Sequence, residues 1–159
     1  WFHSYNCSGL ILSGGNDLSH LPNARHIAPE RDNTEMALVG ECLRQQIPVI
    51  GVCRGLQMIN HIFGGTQKPC QGHAGLRHAL HFAENVDDIW KQVEVNSFHD
   101  WGISLEDLAD GLKPLCFSDD GMVEAFEGVD QAIWGLMWHP EREIPRTDFD
   151  KNIFNMMLG

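Results

Sequence analysis

Positive charge is scarce in this 159-residue sequence: 11 Lys and Arg stand against 22 Asp and Glu, a net charge of −11. Nucleic acid and anionic membrane surfaces are bound through Lys and Arg, so neither partner is expected. Long apolar runs are missing too. No stretch approaches the ~20 residues of a transmembrane helix, and no signal-peptide pattern opens the sequence. Five cysteines, an odd number with no Cys-x-x-Cys pair, argue against a disulfide framework and suit a reducing, cytoplasmic setting. There is no Gly-x-Gly-x-x-Gly, hence no dinucleotide site. Repeats and low-complexity tracts are absent. What remains is one domain, long enough to bury a core.

The apolar run 47–50 reads as a buried strand. It ends in Gly51-Val52-Cys53-Arg54-Gly55 and passes directly into a helical pattern. That is the layout of a nucleophile elbow with Cys at its tip. A helix N-terminus aimed at the sulfur is expected to favour thiolate and to lower the Cys53 pKa. A buried Cys in a tight strand-to-helix turn fits the same residues.

Around this stretch, residues 8–12 read as a strand entering Ser13-Gly14-Gly15. Residues 18–30, with Pro22 and Pro29, read as loop. Residues 32–46 read as a helix, capped by Asp32 with Glu35 three positions on. A second helix runs over 55–63 and stops at Gly64-Gly65. Strands are expected at 78–83, 90–96, 115–118, 122–127 and 132–138. Asp119-Asp120-Gly121 marks a hairpin turn. A short helix is expected at 105–109, and a last one at 148–158 with Phe149, Ile153 and Met156 facing in. The order predicts α/β, with a parallel centre and an added antiparallel portion.

A thiol nucleophile needs a base, and the base an orienting group. His139 leaves the end of an apolar strand, and Glu141 lies two residues on, past Pro140. His99 in Asn96-Ser97-Phe98-His99 is the rival base, and this segment also offers polar groups to a substrate. Ser13-Gly14-Gly15 and the amide of Arg54 are candidate oxyanion donors. Cys70-x-x-His73 and His78-x-x-His81 approach metal-ligand pairs, but neither has a matching second pair, so no metal is expected. Cys7, Cys42 and Cys116, and Trp90, Trp101, Trp134 and Trp138, read as packing residues.

Five blocks in this order resemble the class I glutamine amidotransferase family, in its γ-glutamyl hydrolase-like (peptidase C26-like) branch. They are Ile11 to Asp17, Arg31-Asp32-x-x-Glu35, Gly51 to Gln57, Asn96 to His99, and Trp138-His139-Pro140-Glu141. The pattern is also similar to γ-glutamyl-CDP-amidate hydrolases. The resemblance implies a flavodoxin-like glutamine amidotransferase fold, a central mostly parallel sheet with flanking helices. Family members carry a strand and helix before the Gly-Gly loop. This chain starts only a few residues before that loop's strand, so a single domain, 1–159, incomplete at its N-terminus is expected.

The resemblance further implies that Cys53 attacks a γ-carbonyl, that His139 moves the proton, and that Glu141 orients His139. The amides of Gly15 and Arg54 would form the oxyanion hole. Gln57, Ser97, Phe98 and His99 would line the glutamyl pocket, and the Arg54 side chain would mark the hydrolytic branch. No cofactor is implied. The expected partner is a small γ-glutamyl substrate. A glutaminase subunit serving a synthetase partner, a homo-oligomer, and a non-enzymatic or redox-sensing domain stay open. The absence of a fused synthetase domain favours the hydrolase.

Overall fold

The structure is a computed structural model that describes residues 2–83, 93–143 and 148–158. Of the expected strand at 90–96, residues 90–92 lie outside the described residues, as does the side chain of Met156.

The chain begins with a short 3-10 turn and then β1 (Leu10–Leu12). Helix α1 (Pro29–Gln45) follows, then β2 (Val49–Val52) and α2 (Arg54–Ile62). The second half is strand-rich: β3 (Lys68–Pro69), β4 (Ala74–Ala79), β5 (His81–Phe82), β6 (Glu94–Phe98), β7 (Trp101–Gly102), β8 (Leu112–Phe117), β9 (Val123–Gly128) and β10 (Ile133–Leu136). Helix α3 (Asp148–Leu158) comes last.

Six strands form one mixed sheet in the order β1-β2-β10-β9-β8-β5. The parallel part is β1, β2 and β10, with Leu12 opposite Gly51 and Leu136 opposite Val52. From β10 outward every pairing is antiparallel, so the antiparallel arm is as wide as the parallel one. β4 and β6 form a separate ribbon, as do β3 and β7. The 112–128 hairpin turns at 118–122, where Gly121 N–H donates to the Ser118 carbonyl. The helix expected at 105–109 is only a turn held by Ser104, whose carbonyl accepts from Asp107 and Leu108.

Both faces of the sheet are covered, which explains why β2 is buried at all four positions and reads as an unbroken apolar run. On one face Val39 of α1 and Leu56 and Ile59 of α2 pack with Phe126 and Ile133. On the other, Ile50, Val52, Val95, Leu136 and Trp138 pack with Ile153 and Met157 of α3.

α1 starts three residues before the expected cap. Pro29 occupies its first turn, where the missing N–H costs nothing. Asp32 is therefore inside the helix and caps nothing. Its carboxylate, with that of Glu35, faces α2 and grips Arg54.

Candidate active site

Cys53 is held where β2 turns into α2. Its backbone sits at φ 51°, ψ −108°, a left-handed setting that a side chain rarely adopts. Its N–H donates to the Leu136 carbonyl at 2.7 Å, and its own carbonyl accepts from Gln57 N–H at 3.1 Å. The turn is possible only because two glycines flank it. A Cβ on Gly51 would lie 2.5 Å from the Gly55 carbonyl, and one on Gly55 would overlap the carbonyl of Leu12.

The backbone amide of Arg54 hydrogen-bonds the Cys53 sulfur and pulls its pKa down, as does the Arg142 guanidinium. Burial outweighs both and pushes the thiol up to about 11, with Glu141 and Glu124 adding to the rise. The expected low-pKa thiolate is therefore corrected: desolvation beats the helix terminus, and the Cys53 pKa is raised.

His139 follows β10 at the same end of the parallel strands and is buried. Its Nδ1 lies 2.6 Å from Glu141 Oε1, which leaves Nε2 for chemistry. Its peptide is clamped by Asn96: His139 N–H donates to Asn96 Oδ1, and Asn96 Nδ2 donates to the His139 carbonyl, both at 2.9 Å. Asn96 also donates to Glu143 Oε1, the oxygen that Arg77 bonds as well, both at 2.7 Å. Phe98 meets the imidazole edge to face at 5.8 Å, and Arg142 stacks on Phe98 at 4.5 Å.

The Ser13-Gly14-Gly15 loop closes the arrangement. A Cβ on Gly14 would come within 2.5 Å of His139 Cε1, so the loop backbone rests against the imidazole. Arg31 of α1 fixes the loop by donating to the carbonyls of Ser13 at 2.8 Å and Gly14 at 3.2 Å.

The Arg54 side chain is not in this cleft. It is buried under α1, bonded through Nη1 to Glu35 and through Nη2 to Asp32. Burial raises the Asp32 pKa, but hydrogen bonds from Ser19 and the Arg54 guanidinium more than offset it and leave it lowered. The side chain of Arg54 thus anchors the elbow to α1.

Of the four expected pocket residues, only Phe98 presents its side chain beside His139. Gln57 donates inward to the Trp101 carbonyl at 3.0 Å, and Ser97 Oγ to the His73 carbonyl at 2.5 Å. His99 is buried with Nδ1 3.0 Å from the Trp101 carbonyl, which also removes it as a rival base. All three side chains face the interior, each with a backbone acceptor within reach. Asn96 and Arg31 are the residues whose roles went unassigned; both sit in motif blocks, but nothing in the sequence tells which partner each finds.

A cleft of about 530 Å³ opens next to Glu141, between Ile11, Gly14, Val52 and Phe154. Neither Cys53 nor His139 lines it. Elsewhere, Cys70, His73 and His99 form one group and His73, His78 and Glu124 another; His73, His99 and Glu124 are buried, Cys70 and His78 half-buried. His81 instead reaches the surface, bonded to Asp119.

Known proteins resemble this chain in sequence and in fold. The chain is 38% identical over 143 residues to a γ-glutamyl-CDP-amidate hydrolase of Campylobacter jejuni, covering 89% of this chain and 66% of that protein. It is 31% identical over 136 residues to a glutamine-hydrolysing GMP synthase subunit of Methanococcus vannielii, covering 84% and 64%. The chain thus spans about two thirds of the length of these relatives. Its fold matches a solved structure designated a GMP synthase subunit, from Thermoplasma acidophilum, with a TM-score of 0.71 and 21% identity over 99% of this chain and 74% of that one. The peptidase C26 family model matches residues 5–141, and the chain belongs to that family.

Proposed function

We propose that the protein is a cysteine hydrolase that cuts a γ-glutamyl amide and releases glutamate from a γ-glutamyl conjugate. The observation that carries this is the strained elbow at Cys53, with the Arg54 amide on its sulfur. It stands at the same sheet end as the His139–Glu141 pair.

Cys53 Sγ attacks the γ-carbonyl carbon while His139 Nε2 takes the thiol proton. The substrate carbon–nitrogen bond breaks as that proton passes to the leaving nitrogen. Water, deprotonated by His139, then attacks the thioester, and glutamate leaves as the thiol reforms. A thiol with a pKa of about 11 is useful only if deprotonation accompanies attack, so the base must be positioned beforehand. Glu141 and Asn96 supply that positioning.

The oxyanion hole is drawn from the amides of Arg54 and Gly15. The Gly14 carbonyl accepts from Arg31, and a trans peptide points its N–H the opposite way. The Gly15 N–H therefore faces away from Arg31. Phe98 walls the glutamyl pocket, and Gln57, Ser97 and His99 support it from behind through their internal bonds.

Release of glutamate from glutamine and from γ-glutamyl conjugates, nucleotide-linked ones included, tests the reading. Turnover by the isolated chain that disappears in Cys53→Ala is expected; turnover surviving that change would overturn it. The likeness to a glutamine-hydrolysing GMP synthase subunit favours a second reading, a glutaminase that feeds ammonia to a synthetase partner. Such a subunit would be idle on every conjugate and nearly idle on glutamine until the partner is added. Among the described residues no helix is long and apolar enough to cross a membrane.

A further inference from the structure

Glu124 of β9 is completely buried, yet neither of its carboxylate oxygens receives a hydrogen bond among the described residues. A bare buried carboxylate is costly, and here it is ringed by imidazoles. His73 Nδ1 lies 3.6 Å and His99 Nε2 3.7 Å from Oε1, while His78 Nε2 lies 3.4 Å from Oε2. These spacings exceed ordinary N–H···O lengths of about 2.7–3.2 Å. All three nitrogens also lack a hydrogen-bond partner.

The outer nitrogens explain why. His73 Nε2 meets Asp120 Oδ2 at 3.1 Å, and His99 Nδ1 meets the Trp101 carbonyl at 3.0 Å. Both of those partners are acceptors, so each imidazole spends its N–H outward and turns a lone pair toward Glu124. Lone pairs facing a carboxylate repel it unless something positive sits between them. A tetrahedral zinc holds nitrogen and oxygen donors about 2.0–2.2 Å away, which puts any two of them about 3.4 Å apart. His73 Nδ1 at 3.6 Å and His78 Nε2 at 3.4 Å from the carboxylate stand close to that spacing, and with Glu124 their donor atoms lie within 4.8 Å of one another, a group that His99 does not join. Imidazoles held from behind by a carboxylate and a carbonyl have the outer partners typical of metal-binding histidines.

We propose that His73, His78 and Glu124 bind one divalent transition-metal cation of the zinc class. Two imidazole nitrogens and a carboxylate oxygen suit zinc better than magnesium or calcium. The donors come from β4, the residue just before it and β9, so the ion ties the β4–β6 ribbon to the main sheet. Sequence spacing hides it, because Glu124 lies 46 positions beyond His78 and His81 does not take part.

The test is zinc titration of the chelator-treated chain against a chromophoric chelator, with cobalt substitution. One zinc per chain is expected, with a rise in melting temperature on binding. Glu124→Gln and His78→Ala should weaken binding at least 100-fold, and His61→Ala, in the His20–His61 stack outside this cluster, should not. Cobalt in the wild-type chain should give the intense visible bands of a tetrahedral nitrogen and oxygen site, a readout independent of whether the variants fold. Failure of the folded wild-type chain to bind, undiminished binding by the folded variants, or loss of binding in His61→Ala would each overturn the proposal. So would a thiolate-to-cobalt band in the near ultraviolet, which would move the ion to the Cys70, His73 and His99 group.

Discussion

Replacing Arg54 by Met tests whether its side chain anchors the elbow. In the structure the guanidinium is 1% exposed and bonds one oxygen each of Asp32 and Glu35. Removing one partner of a buried ion pair typically costs about 3–5 kcal/mol, because the stranded charge stays buried. The lower end applies here. Asp32 keeps the Ser19 N–H at 2.9 Å and the Ser19 hydroxyl at 2.5 Å, and Glu35 keeps Arg31 at 2.7 Å. We expect Arg54→Met to lose about 3 kcal/mol, a fall of roughly 6–12 °C in melting temperature for a chain of this size. Urea unfolding followed by tryptophan fluorescence at neutral pH measures it. The gap should narrow as pH falls through the lowered Asp32 pKa. The triple change Asp32→Asn, Glu35→Gln, Arg54→Met should recover most of the loss, since no bare charge remains. An Arg54→Met chain within about 1 kcal/mol of the parent at neutral pH, a threshold below the expected range, would refute the anchoring role.

The same geometry sets four further expectations. Gly55→Ala should cost about 3 kcal/mol or more through its clash with the Leu12 carbonyl, whereas Gly40→Ala, in open space within α1, should stabilise by about 0.5–1 kcal/mol; chemical denaturation reads both. Asn96→Ala should lower kcat about 10- to 100-fold with little change in KM, because it frees the His139 peptide and not the substrate; a pure KM effect would refute it. Site-resolved alkylation of Cys53, by mass spectrometry, should still be accelerating above pH 9 and level off near 11; a plateau at neutral pH would show a preformed thiolate. Burial raises the Asp32 and Glu143 pKa values, but hydrogen bonds from Ser19 and Arg54 to the first, and from Arg77 and Asn96 to the second, outweigh it and leave both below their ordinary values. The unfolded chain therefore binds more protons in that range, so their stabilisation is complete above ordinary carboxylate pKa values and lost as pH falls through the lowered ones. Acid unfolding that begins only below those values, or is independent of these residues, would count against it.

Local signals carried the parallel centre of the fold. β2 buries both faces, so its apolar run needed no partner to be recognised, and the hairpin at 119–121 carries its own turn residues. The boundaries that failed were those where a tertiary partner outbid a local preference. Asp32 has the right chemistry for a cap, and Glu35 completes the pattern, yet a buried guanidinium on α2 claims both carboxylates. The turn at 104–108 likewise satisfies Ser104 with Asp107 and stops short of a helix.

The candidate site divides along the same line. Residues whose role depends on backbone shape were legible: Gly51, Cys53 and Gly55 announce a turn that only glycines flanking a strained residue can make. The His139–Glu141 pair is close in sequence and needs no fold to bring it together. Side-chain direction was not legible. Successive residues of β6 alternate faces, so Asn96 turns to His139 while Ser97 turns to the His73 carbonyl. Phe98 returns to the His139 side, and His99 leaves the strand for the interior. A motif read as one binding surface is thus two. One side holds the His139 peptide, and the other packs against the buried Glu124 cluster, which places that motif between His139 and the proposed metal site. A change on one side should be felt on the other: zinc removal should loosen β6, and with it the Asn96 grip on His139, lowering kcat more than it raises KM.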